Sequence, residues 1–310
     1  MRTRTLTEGA LFLAIYAFML LIFIYIPLLG AIITFVLPLP FIIFTVKNGW
    51  KNGLLFFIAS LGISLVVGSI IAIPSTILYG LTGYIFGGLI NKKQTRTTIF
   101  LVTTFQMMIN LIIQYVVSIL FFDINIIDEL VTFINEVVNK SIAMVNILGQ
   151  EPDPLIIEQL HSLGTMIKVL FPSLLALVAA FNVLFVQLIA YPVLKRLSIS
   201  IPKRKSFGEL SLPRDVIWYF LMVLLLSFFI PLKEGTFLYN VLANLVYIMQ
   251  VLMVFQGVTL IFFFSNRKKL HKAVPIVITI FSLLNPIFVQ ILLILGIIDL
   301  GFHLRRRVTK

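Results

Sequence analysis

The feature that most constrains this chain is a series of nine continuous apolar runs, at residues 6–26, 29–46, 53–73, 75–90, 97–122, 169–194, 215–232, 236–264 and 273–302. An α-helix needs roughly 20 apolar residues to cross the hydrocarbon core of a bilayer. Inside that core every backbone N–H and C=O must be satisfied within the protein, which leaves helices and closed barrels. The runs are continuous rather than alternating, so the barrel is excluded. Only 12% of the 310 residues are charged and 60% are hydrophobic, too few polar residues to cover a soluble fold. The expected fold class is an all-α polytopic membrane protein. A soluble enzyme, a fibrous protein and a disordered chain are excluded.

The basic residues give the runs a direction. Arg2 and Arg4 precede the first run, Lys47 and Lys51 separate the second from the third, and Lys92, Lys93 and Arg96 separate the fourth from the fifth. Lys195, Arg196, Lys203, Arg204 and Lys205 follow the sixth run, and Arg267, Lys268, Lys269 and Lys272 follow the eighth. Every second connection is basic, which places these connections and the N-terminus in the cytoplasm. The excess of 24 Lys+Arg over 12 Asp+Glu therefore reads as a topology signal and not as a nucleic-acid surface. The first run has the basic start of a signal peptide but no small-residue cleavage site after it, so it is expected to remain as the first helix.

The last run is interrupted by Asn285-Pro286. It is either a tight hairpin that returns Arg305, Arg306, Arg307 and Lys310 to the cytoplasm, or one long kinked helix. The outside connection 123–165 carries seven of the twelve acidic residues and a single cation, Lys140. Apolar residues at Ile127, Leu130, Val131, Ile134, Val137, Val138, Ile142 and Val145 repeat at helical spacing. Asp153-Pro154 has the form of an N-cap and first-turn proline opening a second helix toward span six. These two amphipathic helices form either a lid over a cavity or an interfacial hairpin on the membrane. The polar, proline-containing stretch 198–213 divides a six-span part, residues 1–197, from the C-terminal segments and basic tail, residues 214–310.

Catalytic and metal-binding constellations are missing. The chain has no cysteine, and its three histidines, His161, His271 and His303, lack ligand spacing. No phosphate-binding loop or nucleophile elbow occurs. The one carboxylate near the middle of an apolar run is Asp299, read here with His303 and Arg305–Arg307 as an interfacial ion cluster. No enzyme activity, metal or cofactor is expected. Amides remain. Gln106, Asn110 and Gln114 lie at i, i+4 and i+8 on one face of span five, and span six adds Asn182. Span eight carries Asn240, Asn244, Tyr247, Gln250 and Gln256. Amides inside a membrane face protein or water. They either bond neighbouring helices or touch a ligand.

Residues 6–197, with their basic loops, resemble the substrate-binding S component of energy-coupling-factor (ECF) vitamin transporters. Ala10-Leu-Phe-Leu-Ala14 within TEGALFLAIYAF resembles the small-xxx-small motif that docks S components onto their coupling subunit. IPLLGAIITFVLPLPFII followed by KNGWKNGLLFF resembles the second span, turn and third span of that fold. The whole chain, with its tail LGIIDLGFHLRRR, resembles the YybS family of uncharacterised bacterial membrane proteins. The resemblance implies a bacterial plasma-membrane protein with a six-helix S-component-like core, about three further membrane segments and eight to ten spans in all. It implies binding or transport of a small molecule, in the manner of a vitamin or cofactor precursor, by a protein without its own ATPase. Gln106, Asn110, Gln114 and Asn182 would contact a small neutral ligand, and Ala10 and Ala14 would dock a partner. The alternative is a membrane scaffold or regulatory subunit whose basic loops recruit a membrane or cytoplasmic protein.

Overall fold

A computed structural model describes residues 3–147, 153–230, 233–302 and 304–305, excluding the side chains of Pro154 and His161. Arg2, Glu151, His303, Arg306, Arg307 and Lys310, singled out above, lie outside the described residues. All regular structure described is helical: α1 Thr3–Tyr25, α2 Pro27–Ile33, α3 Leu39–Gly68, α4 Ala72–Asn91, α5 Arg96–Phe122, α6 Ile126–Ile147, α7 Pro154–Arg196, a 3-10 turn Phe207–Glu209, α8 Val216–Phe229, α9 Phe237–Arg267, α10 Ala273–Leu284 and α11 Pro286–Phe302. Six of these helices, α1, α3, α4, α5, α7 and α9, are long and apolar enough to cross a membrane. The pair α10–α11, bent by 118°, adds one if taken as a single broken span. The protein is thus an all-α polytopic membrane protein.

The chain forms two compact units. The first comprises residues 1–129 and 174–203, the second residues 130–173 and 204–310.

In the first unit the expected second span is broken. Residues 27–33 form α2, residues 34–38 turn, and the helix resumes at Leu39. Pro38 and Pro40 bring no N–H to the ladder, which favours the interruption. α3 itself reverses at Gly49, whose φ of +82° and ψ of 170° are non-helical. A straight helix would hold Phe44 and Phe56 about 18 Å apart, yet their rings stack with centroids 4.5 Å apart. Gly53 likewise lies against the Thr45 side chain. α3 is therefore a hairpin of limbs 39–48 and 50–68, and its turn is the KNGWKN segment expected between spans two and three.

α4 packs on this hairpin through Gly80, Gly83 and Gly87, one face of the helix. A Cβ at these positions would collide with Phe57, with the Pro38 carbonyl and with the Ile42 carbonyl, respectively. Helix faces without side chains allow such close approach in membranes, where packing replaces the hydrophobic drive. The fully buried Tyr16 of α1 donates to Thr76 Oγ1 (2.6 Å) and packs in a T-shaped pair with Phe41.

The basic connections of this unit gather at one end. Glu8, paired with Arg4, accepts from Asn48 beside the Gly49 turn. Asn91 at the end of α4 donates to the Thr45 carbonyl (2.9 Å), and Lys92 lies over the Trp50 ring. Arg96 opens α5, stacks over Tyr191 of α7 and donates to the Pro202 carbonyl (2.8 Å).

In the second unit α9 and α11 cross with backbones in contact. A Cβ on Gly257 would overlap the Leu292 carbonyl, and one on Gly296 the Met253 carbonyl. Ile217, Phe220, Met253 and Leu300 form the adjoining core. α7 opens as expected, with the Asp153 carboxylate accepting from the Leu155 N–H (2.9 Å). The second amphipathic helix of the loop and span six are one continuous helix of 43 residues, about 64 Å long at 1.5 Å per residue. Val131 and Asn135 of α6 pack on Gly164 of α7.

Candidate functional site

The α5 amides face neighbouring helices of the first unit. Thr82 of α4 donates to the Leu78 carbonyl (2.7 Å) and to Gln106 Oε1 (3.2 Å). Gln106 Nε2 is buried and has no hydrogen-bond partner among the described residues. One turn on, Asn110 is buried and its Oδ1 accepts from Gln114 Nε2 (2.5 Å). Gln114 Nε2 also donates to the Pro74 carbonyl (3.0 Å), which ties the start of α4 to α5. Asn182 Oδ1 of α7 is buried and likewise without a partner among the described residues. Its neighbours Ala179 and Val183 share an apolar cluster with Met107, the residue after Gln106.

The four amides thus divide. Asn110 and Gln114 bond each other, and Gln114 also bonds α4. Gln106 keeps an idle N–H₂ donor and Asn182 an idle oxygen acceptor, both in apolar surroundings. A buried amide group left unbonded costs about 1–3 kcal/mol, so each such atom calls for a partner. Ala10 and Ala14 sit on the exposed face of α1, together with the exposed Leu6, Leu11 and Phe18.

A second polar centre, in the second unit, differs from the expected interfacial cluster. Asp299 is 4% exposed. Its carboxylate accepts from Arg305 Nε (2.7 Å) and Gln256 Nε2 (2.5 Å). The Arg305 guanidinium also donates to the carbonyls of Gly208 (2.8 Å) and Leu210 (2.7 Å) and to Thr259 Oγ1 (2.7 Å). Gln256 in turn donates to Ser211 Oγ and accepts from the Leu212 N–H. The partner lies six residues along the chain, beyond the i+3 and i+4 neighbours that helix spacing suggests. Asn244 has a structural task as well. Its Oδ1 accepts from the Ser173 N–H (2.9 Å) and its Nδ2 donates to the Val169 carbonyl (2.6 Å). One side-chain amide thereby serves both ends of the i→i−4 step that follows Pro172.

The family described as predicted membrane protein (DUF2232) matches residues 14–300. The chain belongs to this family. A Bacillus subtilis (strain 168) relative, named uncharacterized protein YybS, is 32% identical over 310 residues, covering 99% of each chain. The YybS-like resemblance of the sequence is therefore correct over the full length. No solved structure matches.

Proposed function

We propose that this membrane protein binds or transports a small neutral molecule within its first unit, which holds most of an S-component-like core over residues 1–197. The observation that carries the reading is the pair of idle polar atoms, Gln106 Nε2 and Asn182 Oδ1, beside one apolar cluster. A ligand with both an acceptor and a donor, such as a vitamin or cofactor precursor, would satisfy them together. Asn110 and Gln114 would hold the wall of that site. The reading includes a bacterial plasma membrane, a cytoplasmic N-terminus and no catalytic chemistry. It includes no ATPase, so active uptake would need a partner docked at Ala10 and Ala14.

The test is native mass spectrometry of protein extracted from its host in mild detergent. The reading requires a co-purifying small molecule that Gln106→Leu/Asn182→Leu abolishes while the fold persists. Retention of that molecule by the variant, or its absence from the wild type, sinks the reading. The scaffold alternative draws on a different observation: Gln114, Asn244 and Gln256 all bond other segments of the chain. It expects a co-purifying protein in place of a small molecule.

A further inference from the structure

Two basic clusters 60 residues apart in sequence meet at one end of the second unit. The 3-10 turn Phe207–Glu209 brings them together. The Phe207 ring packs edge-on against Phe262 (4.9 Å) and Phe255 (5.9 Å) of α9. Asn266, in the last turn of α9, donates to Ser206 Oγ (3.1 Å). The Gly208 backbone lies so close to Phe263 that a Cβ would not fit. Arg204 and Lys205 are thereby held beside Arg267, Lys268, Lys269 and Lys272, and all six are exposed.

Beside Arg267 lies an open cavity of about 300 Å³, lined by Gly208, Glu209, Phe263, Asn266 and Arg267. Its single carboxylate, Glu209, is engaged by the Ser206 N–H (3.1 Å). Lys269 adopts φ +51°, and the Leu270 N–H closes the turn onto the Ser265 carbonyl (3.0 Å). Glycine is the low-energy residue at such a helix end, so a cation stands there against conformational preference.

We propose that this end of the second unit is a binding site for the headgroup of an anionic phospholipid. The cations flank apolar helices on both sides. α9 ends in them, and beyond them α10 begins with exposed Val274, Ile276 and Val277. A helix that crosses a bilayer ends at headgroup depth, and basic pockets beside apolar helices at that depth bind anionic lipid headgroups. The phosphate takes the rim formed by Lys205, Arg267 and Asn266. Phe263 and the exposed Leu270 receive the glycerol and acyl side.

The experiment reconstitutes the full chain in nanodiscs of phosphatidylcholine with 10–30% phosphatidylglycerol, extracts it, and counts retained lipids by native mass spectrometry. Wild type should retain phosphatidylglycerol over phosphatidylcholine by roughly tenfold beyond the mixing ratio. Lys205→Gln/Arg267→Gln should lose that preference, whereas Lys92→Gln/Lys93→Gln should keep it. Circular dichroism and gel filtration confirm that each variant is folded. Equal retention of both lipids by wild type overturns the proposal. So does an equal loss in the two variants, which would mark diffuse charge attraction. Co-purification of nucleic acid or an acidic protein at Lys205 and Arg267, in place of lipid, overturns it as well.

Discussion

Asp299 and Arg305 show how much a single pair of side chains can decide inside a membrane. Both are largely buried, and the arginine bonds three separate segments. Removing one partner of a buried pair leaves the other charge without compensation, at about 3–5 kcal/mol, while removing both is far milder. Arg305→Met should therefore lower the thermal midpoint in detergent sharply, and Asp299→Leu/Arg305→Met should recover most of the loss. Fluorescence-detected gel filtration after heating reads both, and a double variant worse than the single would refute the account. Glycines offer a second test at this scale. Gly296→Ala drives a methyl into the Met253 carbonyl, whereas Gly62 faces open space. The first should cost about 1–3 kcal/mol by overpacking, and Gly62→Ala should be neutral or stabilising, as measured by the same melting assay. The sequence grouped Asp299 with Arg305 as an ion cluster but placed it at the interface rather than in the interior. Its burial and the pairing beyond the i+3 and i+4 window depend on Gln256 and on linker carbonyls that no side-chain pattern encodes.

At the scale of the element, the turn at Gly49 separates what length alone would count as one helix of 30 residues. Its φ and ψ lie in a region essentially reserved for glycine, where another residue costs about 1–3 kcal/mol. Gly49→Ala should destabilise the first unit by that amount, seen as faster protease cleavage near residues 47–52. Unchanged cleavage would argue against the reversal. This turn was legible, because KNGWKN interrupts the apolar pattern with polar and basic residues. The break at residues 34–38 was signalled only by Pro38 and Pro40, because Thr34 to Leu37 is as apolar as its flanks. The start of α7 was legible from Asp153-Pro154, but its continuity through Pro172 was not. That continuity is served by Asn244, whose partners lie 71 and 75 residues earlier. The amide stripe of α5 was legible as a face. Which of its atoms stay idle depended on Thr82, Pro74 and Asn110, and only the folded arrangement assigns those.

For the whole molecule, the alternation of basic connections carried the most information, and within each unit it becomes geometry. Arg4, the Gly49 turn, Lys92 and Arg96 share one end of the first unit. In the second, Arg305 binds the linker carbonyls and so brings the last described residues to the linker end. A reporter fused after Lys310 should therefore lie on the same side of the membrane as an epitope inserted at 203–205. Fluorescent and phosphatase fusions read the side, and opposite sides would contradict the bend at Asn285. The second unit is also discontinuous in sequence, and this has a consequence in time. Residues 130–173 leave the ribosome long before α9. Seventy-one residues separate Ser173 from Asn244, or about 4–14 s of synthesis at roughly 5–20 residues per second. Within that interval the first unit acquires its last residues, 174–203, while 130–173 still waits for the helix that completes it. A chain arrested near residue 236 should be cut by added protease within 130–173, where the finished protein resists. The cell's membrane proteases would then have a built-in mark of an unfinished molecule.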